Sequence, residues 1–107
     1  MFQFIESLLF ERLVYDFLND DNYAQMQAWL ARFPEAGDLV PGSGGCRKLR
    51  WRIEGRGKRG GVRVIYYLKL HDGRIWLLTI YGKGATENIP SHVLKALKQE
   101  FVDDETD

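Results

Sequence analysis

Apolar side chains recur every three to four residues up to Phe33 but gather in short strand-like runs between Cys46 and Tyr81, and no single kind of secondary structure serves both patterns. In the first part Leu9, Leu13 and Phe17 stand at helical spacing, Leu8, Phe10, Val14 and Leu18 widen the stripe, and Ser7 stands where an N-cap belongs. A second stripe of Tyr23, Met26, Trp29, Leu30 and Phe33 follows Asp20 or Asp21 as cap and stops at Pro34, which a helix interior does not accommodate. These spacings predict two short helices, the first running to about Asn19, joined by a tight turn and packed as an antiparallel hairpin. Ahead of them, Phe2-Gln3-Phe4-Ile5 alternates weakly and reads as a short strand.

Residues 34–45 are rich in Pro, Gly and Ser, sustain no helix and show no alternation, so they read as a long loop. Three strand-like runs follow, at 46–54, 62–70 and 75–81. Asp72-Gly73 between the last two is a tight-hairpin signal, whereas residues 55–61 are too glycine-rich and charged to be buried. Ser91 is placed to cap a final helix through Leu94, Leu97 and Phe101. The expected architecture is therefore α+β, with an N-terminal strand and helical hairpin packed on a small antiparallel β-sheet and a C-terminal helix. One domain covers residues 1–102, and the acidic residues 103–107 are expected to fray. A chain of 107 residues that is 45% apolar and 13% aromatic has material for one core, and no repeat divides it.

No stretch approaches the length of a membrane-spanning helix, and the start Met-Phe-Gln-Phe-Ile-Glu-Ser has no basic region or cleavage site of a secretory signal, so a soluble cytoplasmic protein is expected. Cys46 is the single cysteine and reads as a spectator thiol, with no cysteine to pair with and no neighbouring metal ligands.

The net charge of zero hides a segregation along the chain. Residues 1–40 hold seven acidic and two basic side chains, residues 41–98 three acidic and thirteen basic, and residues 99–107 five acidic and none basic. The field at a surface follows the local distribution, so the middle of the chain reads as a polyanion-binding face. Its densest part is Arg47, Lys48, Arg50, Arg52, Arg56, Lys58, Arg59 and Arg63, eight cations against the single carboxylate of Glu54. On a strand Lys48, Arg50 and Arg52 share one face. Across the hairpin, Arg63 shares a face with Ile65 and Tyr67. A solvated sheet face would account for such a row, and so would a phosphate cradle, in which guanidinium forks match phosphate oxygens and aromatic rings stack on unpaired bases.

Familiar catalytic sets are absent from the sequence. His71 falls in a hairpin turn and His92 in the first turn of the last helix; no phosphate-binding loop of the Gly-x-x-x-x-Gly-Lys-[Ser/Thr] kind occurs. Carboxylates are too scarce in the basic region to hold Mg²⁺, so no metal and no cofactor is expected. Lys, Arg and Tyr suffice for one reaction, attack of an RNA 2′-hydroxyl on the adjacent phosphodiester. A lysine whose pKa is depressed by neighbouring cations can take the 2′ proton, and guanidinium groups stabilise the charge that grows on phosphorus.

Three motifs then stand in order: Gly37-Asp38-Leu39-Val40 with Gly42-Ser43-Gly44-Gly45-Cys46-Arg47-Lys48-Leu49-Arg50; Gly57-Lys58-Arg59-Gly60-Gly61-Val62-Arg63-Val64-Ile65-Tyr66-Tyr67; and Leu78-Thr79-Ile80-Tyr81-Gly82-Lys83. Together they resemble the RelE/ParE superfamily of type II toxins, and most closely its HigB branch, over nearly the whole chain. The resemblance implies a ribosome-dependent mRNA interferase, an endoribonuclease that cuts mRNA in the vacant A site of the small ribosomal subunit, among mRNA and rRNA. It also implies neutralisation by a cognate antitoxin, in the HigB branch a HigA-like helix-turn-helix protein, so that DNA is met only through the complex. Carried over by position, Lys48 and Arg50 match the strand that supplies base and phosphate ligands, Arg63 the central arginine that stabilises the phosphorane, and Lys83 a basic residue on the acid side. Arg47, Arg52, Arg56, Lys58 and Arg59 would extend the RNA cradle.

One departure bears on mechanism. RelE has a tyrosine soon after its last strand that stacks on a substrate base and assists the chemistry, and residues 84–90 here contain none. Tyr67 and Tyr81 are the candidates to contact RNA in its place. Two alternatives come from other classes: a ParE-like toxin that poisons DNA gyrase without cutting RNA, and a non-catalytic ribosome- or RNA-binding module.

Overall fold

The computed structural model describes residues 2–53, 61–84 and 89–104. Within them the chain runs β1 (Gln3–Glu6), α1 (Leu8–Phe17), α2 (Asp20–Arg32), β2 (Asp38–Leu39), β3 (Cys46–Trp51), β4 (Val62–Lys69), β5 (Arg74–Gly82) and α3 (Ser91–Lys98), which continues into a π turn (Gln99–Asp103). The α+β architecture expected from the sequence is present, and none of the described helices is long and apolar enough to cross a membrane.

Local signals account for the helix ends, with corrections. The Ser7 hydroxyl caps α1 as expected, accepting from the Phe10 N–H at 2.9 Å. The cap of α2 is Asn19, whose side chain accepts from the Asn22 N–H at 2.7 Å, so Asp20 and Asp21 sit inside the first turn, where carboxylates favour the helix dipole. Pro90 precedes α3 and Ser91 is its first helical residue, with no side-chain cap. Asp103, expected at the start of a fraying tail, closes the π turn and pairs with Lys98 at 3.1 Å. Residues 105–107 lie outside the described residues, as does the expected strand end at Glu54; β3 stops at Trp51.

The five strands lie in the order β1-β5-β4-β3-β2. All neighbours are antiparallel except β1, which pairs with β5 in parallel, so the sheet is mixed at one edge where a wholly antiparallel one was expected. The second edge, β2, lies inside the stretch read as a loop. Two residues are too few to show alternation, and Asp38 and Leu39 become a strand only by pairing with Lys48 and Arg47.

One sheet face carries Leu49, Val62, Val64, Tyr66, Leu77 and Ile80 under α1 and α2, which bury Phe10, Val14, Tyr23, Met26 and Leu30 against it. On the other face Cys46, Ile65, Trp76 and Leu78 lie under Leu94 of α3 and Val102 of the π turn. Burial on both sides explains why every residue from Ile75 to Tyr81 is buried, as in a central strand. The ladder between β4 and β5 slips at Ile65/Tyr66: Ile65 pairs with Thr79 and Tyr66 with Leu77, leaving Leu78 as an extra residue in β5. Such a bulge re-aims the side chains beyond it. Trp76 and Tyr81, an odd number of residues apart, thereby point to the same face, away from α1 and α2.

Candidate nucleic-acid interface

The helix α3 covers the sheet face opposite α1 and α2 at the end where Cys46, Tyr67 and Trp76 stand in register. Toward the other end of the strands that face carries two further rows, Lys48–Ile65–Thr79 and Arg50–Arg63–Tyr81. Neighbours across such rows are about 5 Å apart at Cβ, and Lys48 and Arg50 lie roughly 7 Å apart along β3. Arg50 is exposed, Lys48 and Arg63 are half-buried, and Tyr81 is 8% exposed. Four residues distant in sequence are therefore brought into one patch by strand pairing.

The electrostatics of the patch are unusual for a resting surface. Arg50 and Arg63 stand directly opposite each other, and like charges in that position destabilise a sheet. Among the described residues neither is in an ion pair. Between them and the core, burial pushes the Tyr81 phenol above its ordinary value, with the Arg63 and Arg50 charges pulling the other way. The outcome is a hydroxyl that keeps its proton beside two cations.

The remaining candidates divide. Arg52 and Lys83 are exposed just beyond the ends of β3 and β5, beside the Arg50–Arg63–Tyr81 row. Tyr67 shares the face but lies four residues along β4, roughly 13 Å away, where the Lys98 ammonium sits 4.7 Å above its ring. Arg47 stands apart. It points to the side under α1 and α2, away from Lys48 and Arg50, and its guanidinium donates to the carbonyls of Gly37 at 2.8 Å and Glu35 at 3.3 Å, a structural contact. Arg56, Lys58 and Arg59 lie outside the described residues.

The same tie involves Tyr66, which is fully buried in the core under α1 and α2. Tyr66 donates its hydroxyl proton to the Pro34 carbonyl and accepts the Gly37 N–H, each at 2.8 Å, and holds the approach to β2 against the sheet. A Cβ on Gly37 would come within 2.7 Å of that ring, so the position admits only glycine without a shift. Asp38 was also missed as a site neighbour: in β2 it lies directly across from Lys48, setting one carboxylate at the edge of the cationic patch. Its presence in the Gly37-Asp38-Leu39 motif was the available signal. His71 lies in the β4–β5 turn, at the far end of that hairpin from Arg63 and Tyr81. Cys46 is buried beneath α3, where burial pushes its thiol up, consistent with a spectator.

What this face can do follows from its groups. Two guanidinium forks and an ammonium can hold a phosphodiester on several sides, and a phenol can give or share a proton at the same place. No protein-family model matches the chain. Among solved structures, the E. coli toxin RelE in the free state, carrying two arginine-to-alanine substitutions, matches with a TM-score of 0.54 and 14% identity over 89% of this chain and 94% of that one. The fold of this protein is the RelE fold.

Proposed function

We propose that this protein is the toxin of a type II toxin–antitoxin system, a HigB-like member of the RelE family that cuts mRNA in the ribosomal A site. The observation that supports the reading best is that Lys48, Arg50 and Arg63 converge on a part of the sheet face that no described helix covers, although β3 and β4 are separate in sequence. A sheet that places two arginines opposite each other with no described ion-pair partner lowers its own stability, and a bound phosphate relieves the repulsion. In the proposed reaction Lys48 takes the 2′ proton as that oxygen attacks phosphorus. Arg50 and Arg63 hold the non-bridging oxygens and stabilise the phosphorane. Arg52 and Lys83 at the rim contact flanking phosphates. The products are a 2′,3′-cyclic phosphate and a 5′-hydroxyl. The cognate partner in this reading is a HigA-like helix-turn-helix antitoxin, whose acidic or amphipathic segment the cationic face would attract.

The test incubates the purified chain with a defined mRNA, naked and on programmed ribosomes with an empty A site, and maps the new 5′ ends. Cuts in codon register that need ribosomes, and that fall by about 10²-fold or more in Arg63→Ala and Lys48→Ala, are expected. Uncut mRNA in both samples from folded protein would overturn the reading. Inhibition of gyrase supercoiling by the same preparation would then identify a ParE-like toxin.

A further inference from the structure

Cleavage at a phosphodiester leaves one task that Lys48, Arg50 and Arg63 do not perform: the departing 5′-oxygen must receive a proton. We propose that the Tyr81 phenol supplies it, an inference that rests on the mRNA-cleavage reading above. In the balanced step the 2′-oxygen forms a bond to phosphorus, the P–O5′ bond breaks with its electron pair going to O5′, and O5′ takes the phenolic proton. The phenolate is then reprotonated by water.

Three observations lead to Tyr81. The first is placement. The extra residue Leu78 reverses the alternation of β5, and Tyr81 lands in register with Arg63 and one strand further from Arg50. The ring is held in the cluster that contains Ile65 and Leu78, so its position is fixed by packing. The second is elimination by chemistry among the described residues. Guanidinium groups do not release protons in proteins, and Lys48 is occupied with the 2′ proton. The histidine His71 sits at the other end of the β4–β5 hairpin. Lys83, the residue that the family resemblance puts on the acid side, lies in the exposed turn after β5, outside the sheet. The third is charge. A buried phenol holds its proton at rest, and the two guanidinium groups beside it stabilise the phenolate that forms on transfer. A general acid needs this combination of a retained proton and a stabilised conjugate base.

The experiment uses an mRNA whose scissile linkage, first mapped with the wild-type protein, carries sulfur in place of the 5′-bridging oxygen. A thiolate leaves without being protonated. On programmed ribosomes Tyr81→Phe is expected to lose about 10²- to 10⁴-fold on the oxygen linkage and to match wild type on the sulfur linkage. Equal loss on both substrates, or no loss on either, would overturn the assignment while leaving cleavage itself established. Selective rescue by sulfur in Lys83→Ala, and not in Tyr81→Phe, would transfer the role to Lys83. Failure of the wild-type chain to cut either substrate would defeat the cleavage reading and this proposal together. A fluorinated tyrosine at position 81 keeps ring and hydroxyl, and so the packing, but is more acidic; it should move the alkaline limb of the pH–rate profile on the oxygen linkage to lower pH, and an unmoved limb would also overturn the assignment.

Discussion

At the scale of single residues, the pairing of Arg50 with Arg63 costs the sheet stability, which binding of an anion would offset. Arg63→Gln removes a cation facing Arg50, so the free protein is expected to gain about 0.2–1 kcal/mol, read as a higher urea midpoint, while losing cleavage. A loss of stability in that variant would mean that Arg63 is held by contacts favourable in the resting protein. The opposite balance holds at Tyr66, whose hydroxyl joins Pro34 to Gly37. Tyr66→Phe leaves a buried Gly37 N–H without its acceptor and should cost about 1–3 kcal/mol, checked by chemical denaturation. Gly61 is a third point of constraint: its φ is +81°, and a Cβ there would meet the Trp51 carbonyl oxygen at 2.0 Å, two residues before Arg63. The sequence shows which residues carry charge and, by alternation along β3, that Arg47 faces away from Lys48 and Arg50; what it does not show is the partner found there, the Gly37 and Glu35 carbonyls that take its guanidinium.

Elements supply the order that single residues need. Ser7 closes the N-terminus of α1 and also reaches β5: its N–H donates to the Leu77 carbonyl at 3.0 Å and its hydroxyl to the Leu78 carbonyl at 2.7 Å. Those two carbonyls flank the bulge that turns Tyr81 toward Arg63. Ser7→Ala should therefore cost about 0.5–2 kcal/mol for the lost cap and, unlike Asn19→Ala at the cap of α2, should also lower cleavage. Equal activity of the two variants at matched stability would show that the bulge holds without the hydroxyl. The α3 helix has the complementary task. With Phe101 of the π turn, its Leu94 covers the Cys46–Tyr67–Trp76 end and leaves the rows that carry Lys48, Arg50 and Arg63 uncovered by any described helix.

For the whole molecule, the sheet is sealed on one side by α1 and α2 and half sealed on the other by α3, and several tyrosines are held in the seals. Tyr23 donates to the Glu6 carboxylate and ties α2 to β1. Burial, followed by that bond, pushes its phenol far above the ordinary value of 10.0, and burial raises Tyr66 as well. In the folded state these groups favour the protonated form more than in the unfolded chain. Their contribution is fully present below the unfolded value near 10 and is lost as pH rises above it. Urea midpoints should be flat in this respect at pH 8 and fall above pH 10, and the fall should be shallower in Tyr23→Phe.

What the sequence determined by itself is what short-range physics controls. Ser7 as a cap, Pro34 as a stop, Asp72-Gly73 as a hairpin and the concentration of cations between 47 and 63 are all set by neighbours a few residues apart. The tertiary structure decided what depends on partners far along the chain. A two-residue strand at Asp38–Leu39 exists only because β3 lies beside it, β1 pairs in parallel with a strand about seventy residues further on, and Arg50 and Arg63 meet through strand register. The slip at Leu78 is the sharpest case. Alternation read along residues 75–81 places Trp76 and Tyr81 on opposite faces, and one unpaired residue, held by a hydroxyl seventy-one positions away, puts them on the same one.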